Sequence, residues 1–124
     1  MKDTEKELFK VIVAGGREFN DYILLEEKLD KILSKRLPDV EIVSGTARGA
    51  DALGESYAHK NKLPIKQFPA DWNKYGKAAG PIRNKQMAEY ADACIVFWDG
   101  KSRGTKSMIN LATEQGIPIR VIKY

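Results

Sequence analysis

The sequence predicts an α/β protein with a doubly wound, mainly parallel five-stranded sheet and helices on both faces. Five short runs rich in β-branched residues alternate with stretches whose apolar residues recur at helical spacing. The strand runs are continuously apolar, as in parallel strands that are buried on both faces. A chain of 124 residues is also the length of one domain, so residues 1–124 are assigned to a single domain.

The first half of the chain contains three predicted strands. The first, residues 9–14, stops at Gly15 and Gly16. Asn20-Asp21 then offers an N-cap for a helix that ends in the basic pair Lys35-Arg36, before Pro38. Residues 40–44 form the second strand, and a helix with one apolar face begins near Ala50. A weaker strand covers residues 64–68. The connection 69–80 is long for such a protein, which favours a functional loop.

The second half contains the most hydrophobic strand. Pro81 suits the first position of a helix that runs to about Tyr90. Residues 93–98 follow and are predicted to be the central strand. The next helix runs to about residue 115, with Gly116 as its C-cap, and residues 117–122 form the fifth strand.

Composition excludes several classes of protein. No apolar run approaches the ~20 residues of a membrane span, so no membrane partner is predicted. The lone cysteine, Cys94, cannot form an internal disulfide, which suits a reducing cytoplasm. With a single histidine, His59, the chain lacks the ligand set of a structural zinc site, so no metal is predicted.

The net charge of +4 concentrates in the segments that follow the first four strands. These segments meet at the carboxyl edge of a parallel sheet, where ligands bind. They contain the basic residues Arg17, Arg48, Lys74, Lys77, Arg83, Lys85, Lys101, Arg103 and Lys106, against the acidic residues Glu18, Asp51, Asp71 and Asp99. Basic side chains oppose the dipole at a helix N-terminus, so several of them there predict a bound anion.

Glycines at the strand ends and helix starts support the same interpretation, because a missing Cβ lets the backbone approach a phosphate. Neither the dinucleotide fingerprint G-x-G-x-x-G after a strand nor the P-loop motif is present. No cofactor is therefore predicted.

Several motifs together resemble a known family. They are Gly15-Gly16-Arg17, Ser44-Gly45-Thr46-Ala47-Arg48-Gly49-Ala50-Asp51, Pro69-Ala70-Asp71-Trp72, the run from Tyr75 to Met87, and Gly104-Thr105. The sequence is similar to the YspA/YpsA-related branch of the SLOG superfamily, whose relatives include the DprA/Smf DNA-processing proteins and the Lonely Guy phosphoribohydrolases. The resemblance implies a Rossmann-like fold and a site for a nucleotide or a nucleotide-derived ligand.

The same resemblance leaves catalysis open. Lonely Guy enzymes cleave an N-glycosidic bond with an arginine, which Arg83 resembles, and with the glutamate of a P-G-G-x-G-T-x-x-E turn. Here Met108 stands in place of that glutamate and cannot act as an acid or base. Asp51, Asp71 or Asp99 could substitute, so the weak catalytic candidates are Arg83, Asp51 and Asp71.

The predicted ligand-binding residues combine these motifs. They are Gly15, Gly16, Arg17, Ser44, Gly45, Thr46, Arg48, Asp51, Asp71, Trp72, Gly80, Arg83, Asn84, Gly104 and Thr105. Some have a second interpretation: Arg83 could form a salt bridge with an acid such as Asp51, Trp72 could cover the edge of the core, and the hydroxyls could cap helices.

Three functions remain for comparison. The first is a domain that senses or sequesters a nucleotide-derived small molecule, and the second is a hydrolase of an N-glycosidic bond in a substrate like a nucleoside monophosphate. The third is binding of single-stranded DNA, as in DprA, which the pI near 9.1 would allow. A homo-oligomer is compatible with the sequence, which does not determine the oligomeric state.

Overall fold

The computed structural model describes residues 7–124, which form one parallel sheet flanked by helices. The strands are β1 (Phe9–Gly15), β2 (Val40–Ser44), β3 (Ile65–Gln67), β4 (Ala93–Trp98) and β5 (Ile119–Lys123). The helices are α1 (Tyr22–Ile32), α2 (Ala50–Lys60), α3 (Trp72–Tyr75), α4 (Ala79–Tyr90) and α5 (Arg103–Gln115). A 3₁₀ turn, Gly76–Ala78, joins α3 to α4. The predicted doubly wound fold is confirmed.

The strand order is β3-β2-β1-β4-β5, and every pairing is parallel. The central strand is therefore β1. The prediction that residues 93–98 form the central strand was wrong, because β4 lies next to the centre. Both β1 and β4 have a strand on each side and are equally buried. The hydrophobicity of a strand predicts that it is buried on both faces, but it does not predict the order of the strands in the sheet.

Alternate residues of β1 face two separate cores. Val11 and Val13 pack with residues of α1 and α2, including Leu25 and Leu29. On the other face, Ile12 and Ala14 pack with residues of α4 and α5, including Met87. Because the side chains of a strand alternate between faces, one apolar strand supports both layers.

Helix boundaries depart from prediction at two places. Asp21 caps α1 as predicted, its carboxylate accepting the N–H of Leu24 at 3.0 Å, but the helix ends at Ile32, before the predicted basic end. The long connection 69–80 contains α3 and the 3₁₀ turn, and α4 starts at Ala79, so Pro81 is its third residue. A proline is tolerated there because the first turn of a helix leaves its N–H groups unpaired.

Two kinds of feature are absent from residues 7–124. No helix in this range combines the length and apolar character that a membrane span requires. In the same range, no three His, Cys, Asp or Glu side chains are grouped so that they could hold a metal ion.

Candidate functional site

A cleft of about 550 Å³ opens at the carboxyl edge of the sheet, between the end of β1 and the starts of α4 and α5. Ten predicted ligand-binding residues line it: Gly15, Gly16, Arg17, Asp51, Trp72, Gly80, Arg83, Asn84, Gly104 and Thr105. The volume lies in the range of small-molecule sites. Residues from distant parts of the sequence therefore meet in one concave surface, as a topological switch point requires.

A second depression of about 290 Å³ adjoins the cleft and contains three more predicted residues, Gly45, Thr46 and Arg48. Arg17, Trp72 and Arg83 line both hollows, so they form the wall between them. The predicted residues Ser44 and Asp71 line neither. Ser44 is buried, and its hydroxyl donates to Oε2 of Glu55 at 2.6 Å. Asp71 is exposed and caps α3 by accepting the N–H of Lys74 at 3.1 Å.

Arg83 projects from the first turns of α4 into this shared wall. Its Nε donates to Oδ1 of Asn84 at 2.9 Å, and its Nη1 donates to the carbonyl of Gly45. Partial burial lowers the pKa of the guanidinium, while the negative charge of Asp51 opposes that shift. These contacts hold one side of the guanidinium in place within the cleft.

Asp51, near the start of α2, carries a buried carboxyl group that is 5% exposed. Its Oδ2 accepts the N–H of Ala47 at 3.2 Å. Burial raises its pKa to about 6, although the Ala47 amide and the charge of Arg83 act in the opposite direction. A carboxyl with a raised pKa that lines a cleft is typical of functional sites.

The raised pKa predicts how stability changes with pH. The pKa of Asp51 is higher in the folded state than in the unfolded state, so ionisation of this carboxyl lowers the free energy of unfolding. The loss is small below about pH 4, where the carboxyl is protonated, and it reaches its full size above about pH 6. Asparagine cannot ionise, so the free energy of unfolding of Asp51→Asn minus that of the wild type should increase by about 2–3 kcal/mol from pH 4 to pH 7. Urea unfolding at the two pH values measures this.

The matched control for this measurement is Asp21→Asn, because Asp21 is exposed and asparagine is an equally good N-cap. No comparable growth is expected for that variant. An advantage of Asp51→Asn that stays constant from pH 4 to pH 7 would contradict the assignment.

Two other buried polar residues, Asn84 and Thr105, stand where α4 meets α5. Nδ2 of Asn84 donates to the carbonyl of Gly104 at 3.4 Å, and the hydroxyls of Ser102 and Thr105 lie 3.1 Å apart. The N–H of Thr105 is capped by Ser102, but within residues 7–124 the N–H groups of Arg103 and Gly104 have no acceptor. The first turn of α5 thus leaves donors at the cleft and contains no acidic residue, while the carboxylate of Asp99 accepts the N–H groups of Lys101 and Ser102 just before it.

The glycines at the carboxyl edge of the sheet differ in the space that a side chain would have. A Cβ on Gly15 would lie 2.3 Å from the carbonyl oxygen of Phe97, and one on Gly16 would lie 2.0 Å from the hydroxyl of Tyr124. Close packing against the backbone of Phe97 therefore requires Gly15, whereas the Tyr124 hydroxyl, at the end of a half-exposed side chain, could move away from a Cβ on Gly16. Around Gly104, by contrast, the added Cβ would meet no atom within 4 Å.

The positive charge of the edge is divided among several surfaces. Arg48 pairs with Glu18 at 2.7 Å, and both side chains are mostly exposed, so this contact contributes little to stability. Lys101 and Lys106 line a separate depression beside Trp98, which they share with Arg103. The cleft itself is lined by three arginines, Arg17, Arg83 and Arg103, and by three carboxylates, Glu18, Asp51 and Asp99.

Tyr124 is a lining residue that the sequence interpretation missed. Its ring packs on Phe19 at 4.7 Å between centroids, and it remains 45% exposed at the cleft. The only available signal was its position just after β5, at the same edge of the sheet as the other loops.

Comparison with known proteins shows the family of the chain and agrees with its fold. The model of a family described as YAcAr, the YspA, cpYpsA-related SLOG family, matches residues 9–75. The chain belongs to this SLOG family. The match includes the loop from Ser44 to Asp51 and also Trp72, and it ends before α4.

Two further similarities extend beyond the match to this SLOG family. The chain is 32% identical over 116 residues to the Gene 61 protein of Mycobacterium phage D29, covering 89% of this chain and 93% of that protein. Its fold is similar to that of DNA processing protein A (DprA) from Streptococcus pneumoniae, with a TM-score of 0.73 and 21% identity. That similarity covers 94% of this chain and 51% of DprA, so the SLOG chain spans about half of the DprA chain.

Proposed function

We propose that this SLOG-family protein binds a nucleotide or a nucleotide-derived small molecule in the cleft at the carboxyl edge of the sheet. The observation that carries the proposal is the convergence of Arg83 with three buried polar side chains, Asp51, Asn84 and Thr105, on one mostly apolar hollow. A few placed polar groups in an apolar surface are the usual composition of a small-molecule site.

In this proposal the phosphate contacts arginines and backbone amides. The guanidinium of Arg83 is held on one side by Gly45 and Asn84, and Arg17 lies on the same wall. The unpaired N–H groups at the start of α5 add donors that favour an anion. A planar guanidinium can bind two phosphate oxygens at once, which suits Arg83 for the central contact.

The nucleoside lies against the less polar part of the cleft. Trp72 and Tyr124 line it and are 50% and 45% exposed, so both rings have a face available for contact. The buried side chains of Met87 and Met108 complete this apolar part. Aromatic rings of this kind supply large contact areas for a planar base.

Binding is favoured over glycosidic hydrolysis by the chemistry of the cleft. Met108 occupies the position of the glutamate in Lonely Guy enzymes, is buried and lines the hollow. Within residues 7–124 Asp51 is the one buried carboxyl, and Oδ2 of that group already accepts the amide of Ala47. Met108 cannot exchange a proton, so hydrolysis would have to rely on Asp51, at a position that differs from that of the glutamate.

The proposal predicts that AMP, ADP-ribose or NAD stabilises the folded protein. At a ligand concentration about 100-fold above Kd, mass action contributes about 2.7 kcal/mol, which raises Tm by about 5–10 °C for a chain of this size. Differential scanning fluorimetry measures the shift, and inorganic phosphate at the same concentration is the control. No shift with any nucleotide would reject the proposal.

Two further assays separate the other functions. Release of free base from a nucleoside monophosphate, followed by chromatography, would identify a hydrolase. Basic residues in the depressions on both sides of the cleft, Arg48 on one and Lys101 and Lys106 on the other, make single-stranded DNA the second candidate. Retardation of a 20-nucleotide strand that weakens steeply with salt, without any nucleotide shift, would favour DNA.

A further inference from the structure

A second concave surface, which shares no lining residue with the cleft, lies where the end of α1 approaches the edge strand β5. Among residues 7–124, β5 pairs with β4 on one side only, so its other edge is free. A groove of about 620 Å³ is lined by residues of β5 and by residues of α1 and the turn after it. A sixth strand added to the free edge, about 4.8 Å from β5, would border this groove.

The described lining of the groove is strongly basic. It contains Lys28, Lys31 and Lys35 from α1 and the turn after it, with Arg36, and Arg120 from β5. Among residues 7–124, no carboxylate lines the groove and none of these five cations belongs to an ion pair. An anionic partner would therefore find unpaired cations on both sides of the groove.

Local structure explains the presence of some of these cations but not their common location. Lys31 in the last turn of α1 offsets the helix dipole, and charged residues on an edge strand discourage unspecific pairing. Neither reason explains why cations of α1 and of β5 face the same hollow. Arg36 is in addition fixed, since its guanidinium stacks over the ring of Phe9 at 3.7 Å.

Two types of occupant fit this groove poorly. A second copy of this chain pairing β5 with β5 would bring Arg120 and the lysines against their own equivalents, and like charges in that arrangement repel. A nucleic acid would meet the cations, but the uncharged side chains of the groove are the aliphatic Ile32, Val121 and Ile122. They provide no ring on which bases could stack.

We propose that an extended, acidic segment of a partner protein binds in this groove as a sixth strand beside β5. Its main chain would bond to the free edge, as in other complexes formed by strand addition. Alternate side chains would point towards α1, where carboxylates meet Lys28, Lys31 and Lys35, and the intervening apolar side chains would lie on the opposite face of the sheet, the face of Val121. The proposal is independent of the nucleotide cleft and of its occupant.

The experiment titrates the complete ¹⁵N-labelled chain with a capped ten-residue peptide of alternating Glu and Val. We expect amide shifts confined to residues 28–36 and 119–123. The double variant Lys31→Glu, Arg120→Glu should weaken binding about tenfold, as expected when two charge pairs are lost. The double variant Lys77→Glu, Lys85→Glu, on the exposed surface of the 3₁₀ turn and α4, makes the same change in net charge elsewhere and should leave the affinity unchanged.

Two further probes test the mode of binding. The same peptide with alternate backbone amides N-methylated keeps its charge but cannot form the strand ladder, so it should bind at least fivefold more weakly. Equal binding of the methylated peptide would overturn strand addition. Stronger binding of a 20-nucleotide DNA at the same residues, or no shift with the acidic peptide at millimolar concentration, would overturn the choice of partner. If the double variant loses its dispersed spectrum, Arg120→Gln alone takes its place, with a smaller loss expected.

Discussion

Replacing Arg83 with alanine is expected to weaken nucleotide binding about 10- to 100-fold, the loss of about 1.5–3 kcal/mol that a charge-assisted hydrogen-bond pair supplies. The guanidinium lies on the wall shared by the cleft and the adjoining depression. It is positioned by the Gly45 carbonyl and by Asn84. Isothermal titration of the nucleotide that gives the largest shift in Tm measures the loss.

Two variants separate the phosphate contact from a structural role of Arg83. Arg83→Lys keeps the charge but not the planar fork, so it should still lose about tenfold in affinity. Arg48→Ala removes an exposed arginine that is already paired with Glu18, and it should change the affinity less than about twofold. Full affinity in Arg83→Lys, or an equal loss in Arg48→Ala, would contradict the role assigned to Arg83.

Replacing Gly49 with alanine is expected to lower the free energy of unfolding by about 3–4 kcal/mol, a loss at the high end for single substitutions. Gly49 has φ +79° and ψ −128°, a conformation that side chains rarely adopt. A Cβ there would also lie 2.2 Å from the carbonyl oxygen of Gly16. That same carbonyl accepts the N–H of Ala50, so it cannot move without breaking the contact between the β1 loop and α2.

Gly76 provides a control that separates the steric clash of a Cβ at position 49 from its backbone strain. Its backbone is similar, with φ +56° and ψ −132°, but a Cβ there would meet nothing within 4 Å. Gly76→Ala should therefore lose only the conformational part, about 1–2 kcal/mol. Urea unfolding of both variants gives the difference. If Gly49→Ala lowers the free energy of unfolding by no more than Gly76→Ala does, the clash with the Gly16 carbonyl makes no contribution and the prediction is wrong.

Local patterns in the sequence were sufficient for the class of fold. Apolar runs predicted the five strands, and the caps Asp21 and Gly116 stand where local chemistry places them. A side chain that accepts an N–H three residues later, or a glycine at φ +79°, depends only on its neighbours in the chain. The same holds for the alternation of strand and helix, which requires a parallel sheet.

The site depended on contacts between distant residues, which a linear pattern does not contain. Arg48 and Arg83 are both basic residues near a helix start, yet Arg48 pairs with Glu18 on the surface while Arg83 is held by Gly45, which precedes it by 38 residues. Tyr124 reaches the cleft because β5 ends beside β4.

The sequence by itself determined the strands and helices of this SLOG-family chain and the edge of the sheet at which most of the predicted site residues lie. Only the tertiary structure decided the order of the strands, which cations share the cleft and why Gly15 has no side chain. The physical reason is that strands and caps follow from the burial and dihedral angles of neighbouring residues. A charge or a close contact is assigned only when the distant group that it meets is known.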